Sequence, residues 1–462
     1  MTDTIAAVST AYGRGGIAVI RISGDEALTV ADKMFRAKNG LPVPEIEPSH
    51  CVWGDILNDG VRIDDGICTV FHAPHSYTGE DVVEISCHGG IVLTEKVLES
   101  ALKCGARLAG PGEFTRRAFT NGKLSLSQAE AVGMLIDAQS EEQLSLAVSH
   151  SDGVMKRKSD ELYEKLKTVV TGVYANVDFP DEDLAELSDA EVLAELSGLE
   201  GELSTLQSTY RVGRAVCEGI RTVLIGKPNT GKSSLLNRLV GRERAIVTDI
   251  AGTTRDTIEE TVSCGRIMLR LCDTAGVRES EDAVEKIGVE RSLKMLGEAE
   301  IVLALFDLSE QFDIEDALIL EKLAETSAVK IAVLNKNDLA KKFDVSKLDA
   351  CGFSHIAQIR AASDDNSTNG VDALKELICS LYASGEIDYS KNAVLTNARQ
   401  NAAVSRALEY TRSAIAQLES GFTSDTAGFD IEAALSELSE LDGRKISEEI
   451  VDGIFHRFCV GK

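Results

Sequence analysis

Residues 226–233 read Gly226-Lys227-Pro228-Asn229-Thr230-Gly231-Lys232-Ser233, a complete G-x-x-x-x-G-K-[ST] phosphate loop. The apolar run Thr222-Val223-Leu224-Ile225 precedes it, and the helical pattern Leu235-Leu236-Asn237-Arg238-Leu239 follows. A loop of this kind works only between a strand and a helix. Its successive backbone N–H groups and the positive end of the helix must surround one β-phosphate. Lys232 then reaches the β/γ oxygens, and Ser233 offers its hydroxyl to Mg²⁺. A chance Gly-rich turn would lack both flanks. The region is expected to fold as an α/β unit that binds a nucleoside triphosphate.

Three downstream segments address the base and the chemistry. Asn335-Lys336-Asn337-Asp338 follows the apolar run Lys330-Ile331-Ala332-Val333-Leu334. A carboxylate at Asp338 can accept two hydrogen bonds from the guanine N1–H and N2–H₂ edge. Adenine has neither donor there, so the carboxylate would be left unpaired and the base rejected. Asp273-Thr274-Ala275-Gly276 closes the run Ile267-Met268-Leu269-Arg270-Leu271. There Asp273 would hold Mg²⁺ through water, and the Gly276 N–H would meet the γ-phosphate. Between loop and strand, Thr248-Asp249-Ile250-Ala251-Gly252-Thr253-Thr254 opens a polar switch segment that runs to Arg255-Asp256, and Thr254 supplies the second metal-binding hydroxyl. These pieces stand in the order and spacing of a translation-factor-related GTPase. The expected nucleotide contacts are Asn229, Thr230, Gly231, Lys232, Ser233 and Ser234, then Thr248 to Thr254, Asp273 to Gly276, Asn335, Lys336, Asp338 and Ala361. The base-stacking loop Ile359-Arg360-Ala361-Ala362 keeps one Ala but places Arg where Ser is common.

Many GTPases follow this glycine with a Gln that orients the attacking water. Here the residue is Val277, which neither donates nor accepts. Glu279, Glu281, Asp282 and Glu285 come next, although each also reads as an ordinary solvated acid. An arginine finger is worth about 10³–10⁵ in rate; Arg255 and Arg278 are both available, and spacing does not choose between them.

At 462 residues the chain should hold two or three domains. Its net charge of −27, with 48 basic against 75 acidic residues, argues against a dedicated nucleic-acid surface, because phosphate neutralisation supplies much of such affinity. The short basic clusters are Arg116-Arg117 and Lys156-Arg157-Lys158. Ten cysteines contain no C-x-x-C pair, which argues against structural zinc and a disulfide framework and suits a reducing cytoplasm. No apolar stretch approaches a membrane span, and no signal-peptide core opens the chain.

Up to about residue 118 apolar runs alternate with turn signals. Ile17–Ile22, Cys68–Phe71 and Asp81–Ile85 read as strands, and Ile91–Cys104 as a helix on them. From Ser125, a helix cap, the period becomes helical. A second helix is expected over Glu161–Val177, a break at Phe179–Asp183, and a third helix to about Arg211. Helical sequence returns over Ala393–Glu419, Phe429–Leu441 and Ile446–Phe458. The expected architecture is multidomain α/β: an N-terminal α+β domain (1–118), a helical domain in two parts (119–215 and 383–462), and a P-loop GTPase domain with a mostly parallel sheet (216–382) inserted between them. Cys459, fourth from the end, is not in a prenylation box, since Gly461 is not aliphatic and Lys462 is not an accepted last residue. It is a buried or frayed thiol, or one delivered to a site elsewhere.

The chain resembles the bacterial and organellar tRNA-modification GTPase family called MnmE or TrmE. The resemblance rests on Gly13–Gly24, Ser76–Asp81, His88-Gly89-Gly90, Arg107–Phe119, the phosphate loop, Thr248–Asp256 and the Cys459-Val460-Gly461-Lys462 tail. It implies a homodimer through the N-terminal domain and a complex with the FAD-containing protein MnmG that modifies C5 of the wobble uridine. tRNA would be held mainly through that partner, and nothing would enter a membrane. The N-terminal domain would be similar to folate-binding aminomethyltransferase domains. It would take 5-formyltetrahydrofolate or another one-carbon tetrahydrofolate on Arg21, Glu84, Lys123 and Lys462. Cations suit the glutamyl carboxylates and a carboxylate suits the pterin edge; read without the family, Arg21 and Lys123 are surface charges. The resemblance also implies that G domains pair and use K⁺ in place of an arginine finger. The side-chain oxygen of Asn229 and the carbonyls of Thr248, Ile250 and Thr253 would be its ligands. Glu285 would orient water through a bridging water, and Cys459 would lie near the folate, its covalent role open. The rival readings are an RNA-binding assembly factor, which would carry a basic domain, and a folate-binding scaffold with an inert G domain.

Overall fold

The computed structural model describes residues 3–178, 188–240, 260–272, 296–363, 369–382, 388–389, 391–445, 447–456 and 458–461. They form two compact units. One joins Met1–Ile136, Ala147–Glu200 and Arg406–Lys462; the other joins Asp137–Leu146 and Gly201–Ser405.

The first unit contains a seven-stranded sheet: β1 (Ile5–Val8), β2 (Ile17–Ser23), β3 (Phe35–Ala37), β4 (Cys51–Asn58), β5 (Val61–Phe71), β6 (Val82–His88) and β7 (Arg107–Leu108), in the order β3-β4-β5-β6-β2-β1-β7. All neighbours are antiparallel except β1 and β7. Period-two alternation sends Ile20 and Ile22 of β2 into a core with Val30, Met34, Ile56, Ile85 and Val97. The helices Ala27–Met34 and Ile91–Lys103 cover that face. Each fully buried Ile or Val contributes roughly 1.5–3 kcal/mol there. On β1 the same alternation places Ile5 and Ala7 in a smaller cluster with Ala109, Phe114 and Tyr77. The expected strand at Cys68–Phe71 is the end of the longer β5, and β4 is an element the sequence reading lacked.

The helical part of this unit includes Leu126–Asp137, Val154–Asp178, Ser424–Asp442 and Glu448–Phe455. Ser125 caps the first: its Oγ accepts from Gln128 N at 3.3 Å, and Gln128 Oε1 accepts from Ser125 N at 3.0 Å. That is a reciprocal capping box, two orphan donors satisfied at once. Several expected boundaries shift; the helix expected from Phe429 begins at Ser424. The second helix begins at Val154, behind a separate helix Glu141–Ser151. The third breaks at Thr209 into Asp189–Ser208 and Tyr210–Cys217. The helix expected from Ala393 begins at Ala398, where Asn397 Oδ1 accepts from Gln400 N. Phe179–Asp183 lies outside the described residues.

The second unit is built on β8 (Ile220–Gly226), β9 (Glu260–Cys264), β10 (Ile267–Cys272), β11 (Ile301–Asp307), β12 (Val329–Asn335) and β13 (His355–Gln358), in the order β13-β12-β11-β8-β10-β9. Every pairing is parallel except β9 with β10 at the edge. β11 is buried along its whole length, as a central parallel strand covered on both faces must be. The helices Lys232–Val240, Ile314–Ala324 and Val371–Tyr382 belong to this unit. The carboxyl ends of β8, β11 and β12, where ligands bind in open α/β sheets, therefore carry the phosphate loop and the Asn335 segment. Among the described residues no helix is long and apolar enough to cross a membrane.

Candidate functional site

The phosphate loop is tied down from within. Lys232 Nζ donates to the carbonyls of Gly226 (2.8 Å) and Lys227 (2.7 Å), and Thr230 Oγ1 donates to the same Lys227 carbonyl at 2.8 Å. Gly231 has φ 99°. A Cβ there would lie 2.1 Å from Asn335 Nδ2, so only glycine lets the two segments approach. Asn229 is exposed and left-handed at φ 62°. Ser233 is also exposed, at the start of the following helix, with Ser234 half-buried beside it.

Asn335 joins three segments of the site. Its Nδ2 donates to the Thr230 carbonyl at 2.7 Å, and its Oδ1 accepts from Ala361 N at 2.9 Å. Lys336, itself at φ 59°, pairs with the buried Asp307 at the end of β11. Burial works against the Asp307 carboxylate, but hydrogen bonds from Lys336 and Ser309 outweigh it and hold its pKa below the usual value. Asp338 is exposed. In the base loop, Arg360 N donates to the Asn369 carbonyl, so its backbone serves the fold whatever its side chain does.

A second constellation lies on the β1 face of the first unit's sheet. Arg21 and Glu84 are direct cross-strand neighbours, and Arg21 Nη2 meets Glu84 Oε1 at 2.8 Å. The Arg21 guanidinium stands 5.2 Å from the Tyr77 ring centroid and 5.5 Å from that of Phe114, with its side chain only 15% exposed. That corrects the surface-charge reading: a cation between two rings is held by their quadrupoles as well as by its carboxylate. Lys123 is exposed and donates from Nζ to the Pro74 carbonyl at 2.9 Å; its stem packs near Gly79, on the segment that carries Tyr77. The C-terminal tail docks on the same unit. Val460 bridges to Pro111, Gly112 N donates to the Cys459 carbonyl (3.3 Å), and Ser9 Oγ donates to the Gly461 carbonyl (3.0 Å). Cys459 is exposed.

The basic clusters carry acidic partners. Arg117 pairs with Asp3, Glu80 and Glu113, Arg116 with Asp452, Lys156 with Asp160, and Lys158 with Glu161.

Thr248, Asp249, Ile250, Ala251, Gly252, Thr253, Thr254, Asp273, Thr274, Ala275, Gly276, Glu285 and Lys462 lie outside the described residues. The sequence reading missed four residues that shape these sites: Asp307, Tyr77 and Phe114, and the buried side chain of Lys227. An Asp closing the apolar run Ile301–Phe306 was a visible signal for the first. The two rings had none, because their contact with Arg21 is tertiary.

Residues 4–123 match the family model described as the GTP-binding protein TrmE N-terminus, and residues 126–459 match the MnmE helical domain. The tRNA modification GTPase MnmE of Listeria innocua is 41% identical over 462 residues, covering 100% of this chain and 99% of that protein. That of Symbiobacterium thermophilum is 43% identical over 463 residues with the same coverage. The solved G domain of the T. maritima FeoB iron transporter is 27% identical, covering 35% of this chain and 97% of that one at a TM-score of 0.25. Matches that run the length of the chain join the phosphate loop, the Asn335 tie and the docked tail in one protein, and the chain belongs to the MnmE family of tRNA modification GTPases.

Proposed function

We propose that this GTPase hydrolyses GTP with a bound K⁺ and acts with FAD-containing MnmG to install a carboxymethylaminomethyl-type group at C5 of the wobble uridine, drawing on a one-carbon folate. It works as a homodimer joined through its N-terminal domains, in the cytoplasm. The division into 1–118, 119–215, 216–382 and 383–462 separates folate binding, transmission and nucleotide hydrolysis.

The observation that carries the reading is the backbone at Asn229. Asn229 stands at φ 62° at the exposed bend of the phosphate loop, in a region of backbone space that Asn enters more readily than most non-glycine residues. The bend closes through the Thr230 amide onto the Lys227 carbonyl, with Pro228 and Asn229 at its two central positions. An amide oxygen is a neutral, hard donor, which suits a monovalent cation. Bound K⁺ supplies the neutralisation of phosphate charge that an arginine finger supplies elsewhere. In the chain itself, Lys232 and the loop amides hold the phosphates, and Asn335, Lys336 and Asp338 hold the base. Ser233 and Thr254 are the Mg²⁺ hydroxyls, Thr248, Ile250 and Thr253 the remaining K⁺ carbonyls, and Glu285 orients water.

For the folate, support comes from the Arg21–Glu84 pair, whose guanidinium lies over the Tyr77 and Phe114 rings: the carboxylate suits the pterin amide–amine edge and the adjoining cation fixes it in place. Bound folate supplies the one-carbon unit. Lys123 and Lys462 hold its carboxylates, and Cys459 is the residue available for covalent work. The pairing of the basic clusters with carboxylates supports a tRNA held mainly through MnmG.

GTP turnover in KCl against NaCl is the direct test. Faster turnover in KCl is expected, and Asn229→Ala should lose the preference while still binding GDP; equal rates in both salts sink the reading. Lys123→Ala should weaken 5-formyltetrahydrofolate binding, and wild-type affinity in that variant contradicts the folate assignment.

A further inference from the structure

Lys227, second residue of the phosphate loop, has an almost fully buried side chain, 6% exposed. Its ammonium is held by carboxylates of a neighbouring segment. Nζ lies 2.8 Å from Asp313 Oδ2 and 2.8 Å from Asp316 Oδ2, with Glu310 Oε2 at 3.8 Å. Asp313 and Asp316 form the capping box of the Ile314–Ala324 helix: Asp313 accepts from the amides of Glu315 and Asp316, and Asp316 accepts from Asp313 N. Asp316 is fully buried and its Oδ1 has no hydrogen-bond partner among the described residues. Burial opposes the Lys227 charge, but these carboxylates outweigh it and hold the amine protonated.

The loop is thus fastened on both sides of its bend. Before it, Lys227 is anchored through its side chain to the first turn of a neighbouring helix, and its carbonyl receives Lys232 and Thr230. After it, the Thr230 carbonyl is held by Asn335. Between the two anchors stand Pro228, whose ring fixes φ, and Asn229 at φ 62°. We infer that Lys227 is a positioning residue: its ion pairs with Asp313 and Asp316 hold Asn229 in the left-handed conformation that presents its side chain at the nucleotide site. This rests on the K⁺ reading above only for what Asn229 does once presented.

Without the anchor only the local Pro228-Asn229 turn, closed by the Thr230 amide on the Lys227 carbonyl, would favour the left-handed conformation; its population would fall, and any ligand needing the presented conformer would bind more weakly by the fraction lost. The test uses full-length Lys227→Met, Lys227→Arg and Asp313→Asn proteins. Asn keeps the helix cap while removing one carboxylate. Amide hydrogen exchange across the nucleotide-free loop, together with the KCl concentration for half-maximal GTP turnover, reads the effect. Lys227→Met should raise both by about tenfold, Asp313→Asn by about threefold, and Lys227→Arg should stay within about threefold of wild type. Loop exchange unchanged in both Lys227→Met and Asp313→Asn overturns the inference, and so does an Arg variant as perturbed as Met. If Lys227→Met does not fold, the Asp313→Asn result decides. A wild-type protein indifferent to K⁺ against Na⁺, but with faster loop exchange in the variants, rejects the cation reading and keeps the anchor.

Discussion

Replacing Gly461 by Ala probes how firmly the C-terminal tail is seated. Gly461 has φ 102°, and a Cβ on it would sit 2.1 Å from the Val8 carbonyl oxygen and 3.2 Å from Ser9 Cα. Both are main-chain atoms, and Val8 is held in register with Ile20 of β2, so nothing there can swing aside. The tail must lift. Lifting breaks the bond from Ser9 Oγ to the Gly461 carbonyl and that from Gly112 N to the Cys459 carbonyl. At about 1 kcal/mol net for each neutral hydrogen bond, with a further ~1 kcal/mol or more for alanine at this φ, docking is weakened by about 3 kcal/mol. That is roughly a hundredfold in the docked-to-undocked ratio, at ~1.4 kcal/mol per factor of ten. Amide exchange read by mass spectrometry should then show lost protection at Gly112. On the proposed folate reading, which uses Cys459 and the residue that follows Gly461, affinity for 5-formyltetrahydrofolate should fall by at least about tenfold. Wild-type exchange at Gly112 together with wild-type folate affinity would refute the seating argument.

Asn335→Ala removes both ties between the phosphate loop and the base loop. It strands the buried Thr230 carbonyl and Ala361 amide, at about 1–3 kcal/mol each. GDP affinity by fluorescence titration should drop by about thirtyfold or more; a change under about threefold speaks against the tie. In the first unit, burial disfavours the Glu113 carboxylate, but Arg107, the Gly110 amide and Arg117 lower its pKa from 4.5 to about 2. A depressed carboxyl stabilises the fold above its unfolded value and loses that contribution as pH falls from 4.5 through about 2. Its share is at most about 3 kcal/mol. Urea midpoints should fall more steeply with acid in the wild type than in Glu113→Gln, and parallel curves would remove Glu113 from the account.

The phosphate loop was legible because its chemistry is local: eight consecutive residues carry the amides, the lysine and the hydroxyl, with an apolar strand before them and a helix after. The Ser125 cap was legible for the same reason, though its Gln128 partner was not read. β4 was not, since Gly54 and Asp55 interrupt its apolar alternation and it is fixed by pairing with β5. The helix Glu141–Ser151 lacks a strong apolar stripe, so periodicity did not separate it from the helix that follows. Arg21 looked like a surface charge because β2 alternates and places it off the main core. Its cover comes from Tyr77 and Phe114, distant in sequence. Lys227 hides likewise behind partners 86 and 89 positions away. The Asp313 and Asp316 cap was not read from the sequence, and nothing local says which cation it faces.

Binding of a fluorescent GDP analogue with aluminium fluoride, compared in KCl and NaCl, tests the cation's role most directly, since that complex mimics the charge of the transferring phosphoryl group. The account predicts a stable complex in KCl, little or none in NaCl, and loss of the difference in Asn229→Ala. Equal complex formation in the two salts by the wild-type protein would contradict it.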